Sequence, residues 1–125
     1  MAVLVDSSLW VHQLRRGGDP AKRDRVNTLL QHGQAAWCQP VRLELWCGVT
    51  SDADRKTLRR YEAVLPTYEI SSAVWERAVR LADRGRALGV TVPLADMVIF
   101  ACARTHALEL AHDDAHFTQL ERLDA

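Results

Sequence analysis

Short apolar runs alternate with helix-patterned stretches along the whole chain, and this alternation is what most narrows the folds open to it. "AVLV" (residues 2–5), "AAWC" (35–38), a run near "TYEIS" (67–71) and "ALELAH" (107–112) read as strands. Between them the periodicity predicts helices. The first starts under a cap from Ser7 or Ser8 and fades at Gly17, Gly18 and Pro20, and the second covers Lys22 to His32. "VRLELWCGV" (41–49) is a helix just beyond Pro40, a residue tolerated at a helix start, and the polar helix "SDADRKTLRRYEAV" (51–64) comes next. A long helix runs from Ser72 to Leu88 and is closed by Gly89, and Pro93 begins another through "VPLADMVIFACARTHA". Strands separated by helices make an α/β fold with a parallel sheet. The chain has 125 residues and 48% hydrophobic content, which suits one such domain, residues 1–125, with a core of its own.

The carboxylates at the ends of these runs point to chemistry. Asp6 closes the first strand, and Asp113 and Asp114 stand just beyond the last; in an open parallel sheet that edge is where ligands bind. Glu44 lies inside "VRLELWCGV" and Asp96 in the first turn of "PLADMVIFACA", helices apolar nearly all round and therefore expected to be buried. Asp96 aligns with Ile99, Phe100 and Ala103, so it heads a core-facing stripe. Each acid alone has a local explanation. Asp6 suits a helix cap, Asp96 the positive end of a helix dipole, Asp113 or Asp114 a turn, and Glu44 an ion pair with Arg42 or another arginine. Together they converge on one sheet edge, where two carboxylates about 4 Å apart repel by about 4 kcal/mol at an effective dielectric near 20. A cation must sit among them. No lysine or arginine adjoins Asp6 or Asp96 in sequence, and an all-oxygen ligand set fits Mg²⁺ or Mn²⁺ better than zinc.

"VLVDSSLW", "ELWCGV", "LADMVIFACA" and "DDAHF" resemble, in order and spacing, the four motifs of the PIN-domain ribonucleases, and more narrowly the toxin subunits of VapBC-type toxin–antitoxin pairs. The resemblance runs from Val3 to Phe117. It implies a three-layer α/β/α domain on a central parallel sheet of four strands, or five as in some relatives. Position by position, Asp6, Glu44, Asp96 and Asp114 match the family's catalytic metal ligands; Asp114 is preferred to Asp113 because it stands three residues before Phe117. Where many relatives have a further aspartate this chain has His116, and His112 takes a place often held by Thr or Ser. Both histidines are expected as polar neighbours of the site, and contact with a bound phosphate or metal-bound water is the alternative. Ser8 is a candidate to orient water or phosphate beside Asp6. The resemblance further implies Mg²⁺-dependent hydrolysis of RNA, a homodimer, and a cognate VapB-like antitoxin that covers the acidic cleft.

Composition bounds the rest. Net charge is zero, so no global field draws the protein onto nucleic acid or membrane, and phosphates must be met locally. The first apolar run is short and lacks a basic leader, which predicts a cytoplasmic protein without a signal peptide or membrane span. Cys38, Cys47 and Cys102 fit no metal or redox spacing and are expected as core thiols. The arginine clusters on helices are balanced by acids and read as solvated faces. Trp10, Trp37, Trp46 and Trp75 are core candidates, with one or more free to anchor an interface. Two other functions remain open at this level. One is a non-catalytic α/β interaction module. The other is a receiver-like phosphoacceptor, disfavoured because Asp6 is followed by Ser7 and the lysines are Lys22 and Lys56 alone.

Overall fold

The computed structural model describes residues 1–124. Its elements run β1 (Val3–Val5), α1 (Ser7–Leu14), α2 (Pro20–Gln31), β2 (Ala35–Cys38), α3 (Gln39–Cys47), α4 (Asp52–Val64), β3 (Thr67–Tyr68), α5 (Ser72–Leu88), α6 (Leu94–Thr105), β4 (Glu109–Ala111) and α7 (His116–Leu123). Every residue of β1 and β2 is buried, as helices covering both faces of a parallel sheet require, and this is why both strands read as unbroken apolar runs.

All strand pairs are parallel and the sheet order is β3-β2-β1-β4. Val3 faces Ala35 on one side and Glu109 on the other, and Val5 faces Ala111. The chain winds from β1 through β2 to β3, then crosses back to place β4 on the far side of β1. The winding direction therefore reverses between β1 and β4, and a crevice opens outside their carboxyl ends. This order is not the 2-1-3-4-5 arrangement of receiver-like sheets, which argues against the phosphoacceptor alternative. Among the described residues the sheet has four strands, and β4 leads into the helix α7.

Two tryptophans centre the core. Trp10 and Trp37 are fully buried in an edge-to-face pair with ring centroids 6.4 Å apart, and Tyr61 packs on Trp10 at 4.8 Å. Each indole N–H finds an acceptor: Trp10 Nε1 donates to Val5 O at 2.9 Å, Trp37 Nε1 to Thr67 Oγ1 at 3.0 Å. Gly89 ends α5 in the left-handed region with φ of 69°, a conformation that costs other residues energy.

The structure corrects several sequence-based expectations. Cys38 and Cys102 are buried, but Cys47 is exposed at the end of α3. Trp46 is only half-buried and Trp75 is 52% exposed, because α3 and α5 turn these side chains outward, where they line an open apolar groove with Leu43 and Ile70. Glu44 does not lie inside a buried helix. Instead α3 buries only Val41 and Leu45, one narrow stripe, and leaves Leu43 and Glu44 exposed. The helix α7 is an addition to the elements read from the sequence, although Phe117, Leu120 and Leu123, all buried, recur at the spacing of a helix face.

Candidate active site

The crevice collects its side chains from four elements. Asp6 stands at the end of β1, where its extended backbone closes the strand and its carboxylate caps α1: Oδ2 accepts the Ser8 N–H at 3.0 Å. The cap is thus Asp6 itself and not Ser7 or Ser8. Asp6 is 2% exposed, and its other oxygen, Oδ1, is buried without a hydrogen-bond partner. Burial pushes its pKa up, against the pull of the Ser8 hydrogen bonds, and Asp114 adds like-charge repulsion.

Asp96, in the first turn of α6, is also buried. Its pKa is raised by desolvation first and then by the charges of Asp114 and Asp6, while His116 works in the opposite direction. His116 opens α7, and its Nδ1 lies 3.1 Å from Asp96 Oδ2 and 3.0 Å from Asp114 Oδ1. Asp114 Oδ1 also accepts the His116 backbone N–H at 2.9 Å. Ligand atoms of Asp96, Asp114 and His116 fall within 4.8 Å of one another.

Glu44 stands at the rim. Although the residue is exposed, its carboxylate turns back to accept the Ser7 hydroxyl at 3.1 Å. The cleft walls desolvate it enough to raise its pKa, and Asp6, Asp96 and Asp114 push the same way. None of Asp6, Glu44, Asp96 and Asp114 makes an ion pair with lysine or arginine among the described residues.

The remaining candidates lie beside this cluster. Asp113 faces away from it, toward Lys22 and His12. The Ser8 hydroxyl accepts the Asp113 N–H at 2.9 Å, so it fastens the loop between β4 and α7 to α1. His112 stacks on Phe117 with ring centroids 4.8 Å apart, and its Nδ1 accepts the Asp114 N–H at 3.3 Å. Two residues matter more here than their sequence setting suggests: Ser7, which holds Glu44, and His116, which sits between two of the acids.

The donor atoms of the cluster suit a divalent cation. Asp6 offers a buried, unpartnered carboxylate oxygen, and an oxygen-rich set with one imidazole matches a hard or borderline ion. Burial first, and neighbouring carboxylate charge after it, raise the pKa values of Asp6 and Asp96, and a bound cation would offset both costs. The residues fit such an ion.

The PIN domain family matches residues 3–123. The chain is 31% identical over 125 residues to the VapC ribonuclease Mb1587 of Mycobacterium bovis, an alignment covering 97% of this chain and 92% of that protein. Among solved structures, a chain of VapBC2 from Rickettsia felis superposes with a TM-score of 0.79 at 15% identity, covering 95% of this chain and 92% of that one. A chain of VapBC-5 from Mycobacterium tuberculosis gives 0.71 at 23% identity, covering 96% and 90%. The structural likenesses speak to fold, and the match over nearly the full length speaks to descent: this chain belongs to the PIN-domain family, among its VapC-type members.

Proposed function

We propose that this protein is a divalent-metal-dependent endoribonuclease, the toxin of a VapBC-type pair, with Asp6, Glu44, Asp96 and Asp114 as its catalytic metal centre. Mg²⁺ is the expected ion and Mn²⁺ a substitute. The observation that carries the reading is the uncompensated acidic cluster at the β1/β4 crevice, with Asp96, Asp114 and His116 ligand atoms inside 4.8 Å. Protons or a cation between its members stabilise such a group.

When bound, a divalent ion supplies Lewis acidity: it lowers the pKa of water and neutralises charge on the leaving 3′ oxygen of a phosphodiester. The chain's own residues do the positioning. Asp6 Oδ1 is a ligand atom already dehydrated and held in one orientation by the cap on Oδ2. Asp96 and Asp114 approach it from α6 and from the loop after β4, and Ser7 keeps Glu44 turned inward at the rim. With water as the attacking group, no side-chain nucleophile is needed.

RNA as substrate class rests on the ribonuclease name of the relative, and a VapB-like antitoxin rests on the solved VapBC neighbours. An open groove of about 960 Å³ leads from Glu44 past Val11, Leu14 and Leu45 to Arg15 and Arg16, which gives a partner segment a path to the acids. A basic side chain on that segment would oppose the metal. The groove of about 670 Å³ lined by Leu43, Trp46, Ile70 and Trp75 suits a second copy in a homodimer. This reading puts the protein in the cytoplasm; no described helix is long and apolar enough to cross a membrane. The test is cleavage of RNA in Mg²⁺, its loss on chelation, and its loss in Asp6→Asn with the fold intact. RNA cleavage that persists after chelation would overturn the proposal.

A further inference from the structure

Asp113 sits next to a candidate metal ligand yet takes no part in the cluster, and it is held by partners of its own. Asp113 Oδ2 accepts from Lys22 Nζ at 2.7 Å and lies 3.3 Å from His12 Nε2. His12 is buried, and its Nδ1 accepts the Asp19 backbone N–H at 3.1 Å. An acceptor Nδ1 puts the ring proton on Nε2, so His12 donates to Asp113 as the neutral imidazole. The Asp113 backbone N–H donates to the Ser8 hydroxyl. Backbone and side chain of one residue are therefore both tied down, by α1 on one side and by α2 on the other.

The support behind these contacts is equally specific. Arg23 of α2 donates to the carbonyls of His12 and Arg15, locking the two helices together. Asp19 caps α2 through the Lys22 N–H at 3.1 Å, which sets the position of Lys22 itself. Gly18 permits the turn: a Cβ there would collide with the His12 carbonyl oxygen.

We propose that Lys22, His12 and Asp113 form a clamp that positions Asp114 for the metal. Asp114 follows Asp113 directly, so holding the Asp113 backbone on Ser8 and its side chain on Lys22 and His12 fixes the point from which Asp114 reaches His116. The clamp is also electrically neutral, because the Lys22 cation balances the Asp113 anion. Lys22, His12 and Asp113 are positioning residues, not catalytic ones. The proposal rests on the metal-nuclease reading above.

The test uses the full chain, Mn²⁺ as the probe, and titration calorimetry without RNA. Lys22→Met should weaken Mn²⁺ binding by about 3- to 10-fold, since neighbours that orient a ligand typically matter at or above that scale. Lys22→Arg, which keeps the cation, should restore most of it. Lys22→Met combined with Asp113→Asn should lose no more than the worse of the two single variants, because both break the same pair. In RNA cleavage under subsaturating Mn²⁺, Lys22→Met should lower kcat with little change in KM; a lysine that merely contacts RNA would raise KM and leave metal affinity alone. Unchanged Mn²⁺ affinity in a folded Lys22→Met protein, or additive losses in the double variant, would overturn the clamp. Absence of Mn²⁺ binding by the unaltered protein would instead overturn the metal reading itself.

Discussion

Replacing Asp96 with Asn should make the metal-free protein more stable and deprive it of stabilisation by metal. The magnitude comes from the cluster. Ligand atoms of Asp96 and Asp114 lie within 4.8 Å of each other. Two full charges at that spacing repel by about 3.5 kcal/mol at an effective dielectric of 20. Solvent reaches Asp114, whose side chain is 30% exposed, and the His116 imidazole lies beside both acids, so a gain of about 1–2 kcal/mol is expected. The Asn side chain still places a hydrogen-bonding atom beside His116 Nδ1, where Asp96 Oδ2 lies at 3.1 Å. For a domain of this size the gain corresponds to a Tm rise of about 4–8 °C. Metal acts in the other direction. At about one hundred times its Kd, Mn²⁺ should stabilise the unaltered protein by about 2.7 kcal/mol, and the variant by far less. Thermal unfolding at neutral pH, in EDTA and then in excess MnCl₂, should show the two proteins exchanging rank. A variant less stable than its parent in EDTA, or one gaining as much from Mn²⁺, would refute the reasoning.

Asp114→Asn should cost at least tenfold more RNA-cleavage activity than Asp113→Asn, measured as kcat in saturating Mg²⁺; the reverse order would shift the ligand assignment by one residue. Stability should depend on pH with opposite signs in two places. Asp6 and Asp96 have pKa values above the ordinary aspartate value of 3.8, so without metal their contribution favours the fold at low pH and is lost as pH rises through those raised values. Asp113 is held low, first by Lys22, so its contribution is present above the ordinary value and is lost as pH falls through its folded value; chelator-treated denaturation from acid to neutral pH, with Asp96→Asn and Asp113→Asn as controls, separates the two. Gly18→Ala should destabilise the domain by about 1–3 kcal/mol, seen as a lower urea midpoint, because the new Cβ runs into the His12 carbonyl. Expression alone should arrest growth where Asp6→Ala at equal abundance does not, and excess Mg²⁺ should weaken binding of the partner protein in calorimetry; unchanged affinity would leave the blocking model without support.

Much of the fold is legible in the sequence because its signals are local. Buried parallel strands must be apolar on both faces, and "VLV" and "AAWC" satisfy that within four residues. The helix from Ser72 to Leu88 carries its own stop in Gly89, whose φ of 69° demands a residue without Cβ penalty. The acids at the ends of β1 and β4 are visible for the same reason: a carboxylate that halts an apolar run is conspicuous. Which faces meet is another matter. Glu44 sits among apolar letters, yet α3 buries only Val41 and Leu45, so its exposure depends on the rotation of the helix against the core. Asp113 and Asp114 are chemically the same side chain, one residue apart. Their different settings come from Lys22 and His12, separated from Asp113 by 91 and 101 positions and brought beside it by the sheet order β3-β2-β1-β4. His116 likewise acquires its place only because α7 begins where β4 meets α6. Patterning over a few residues is set by burial and backbone geometry, which each segment carries with it, whereas contacts across a hundred residues exist only once the crossovers have closed the sheet.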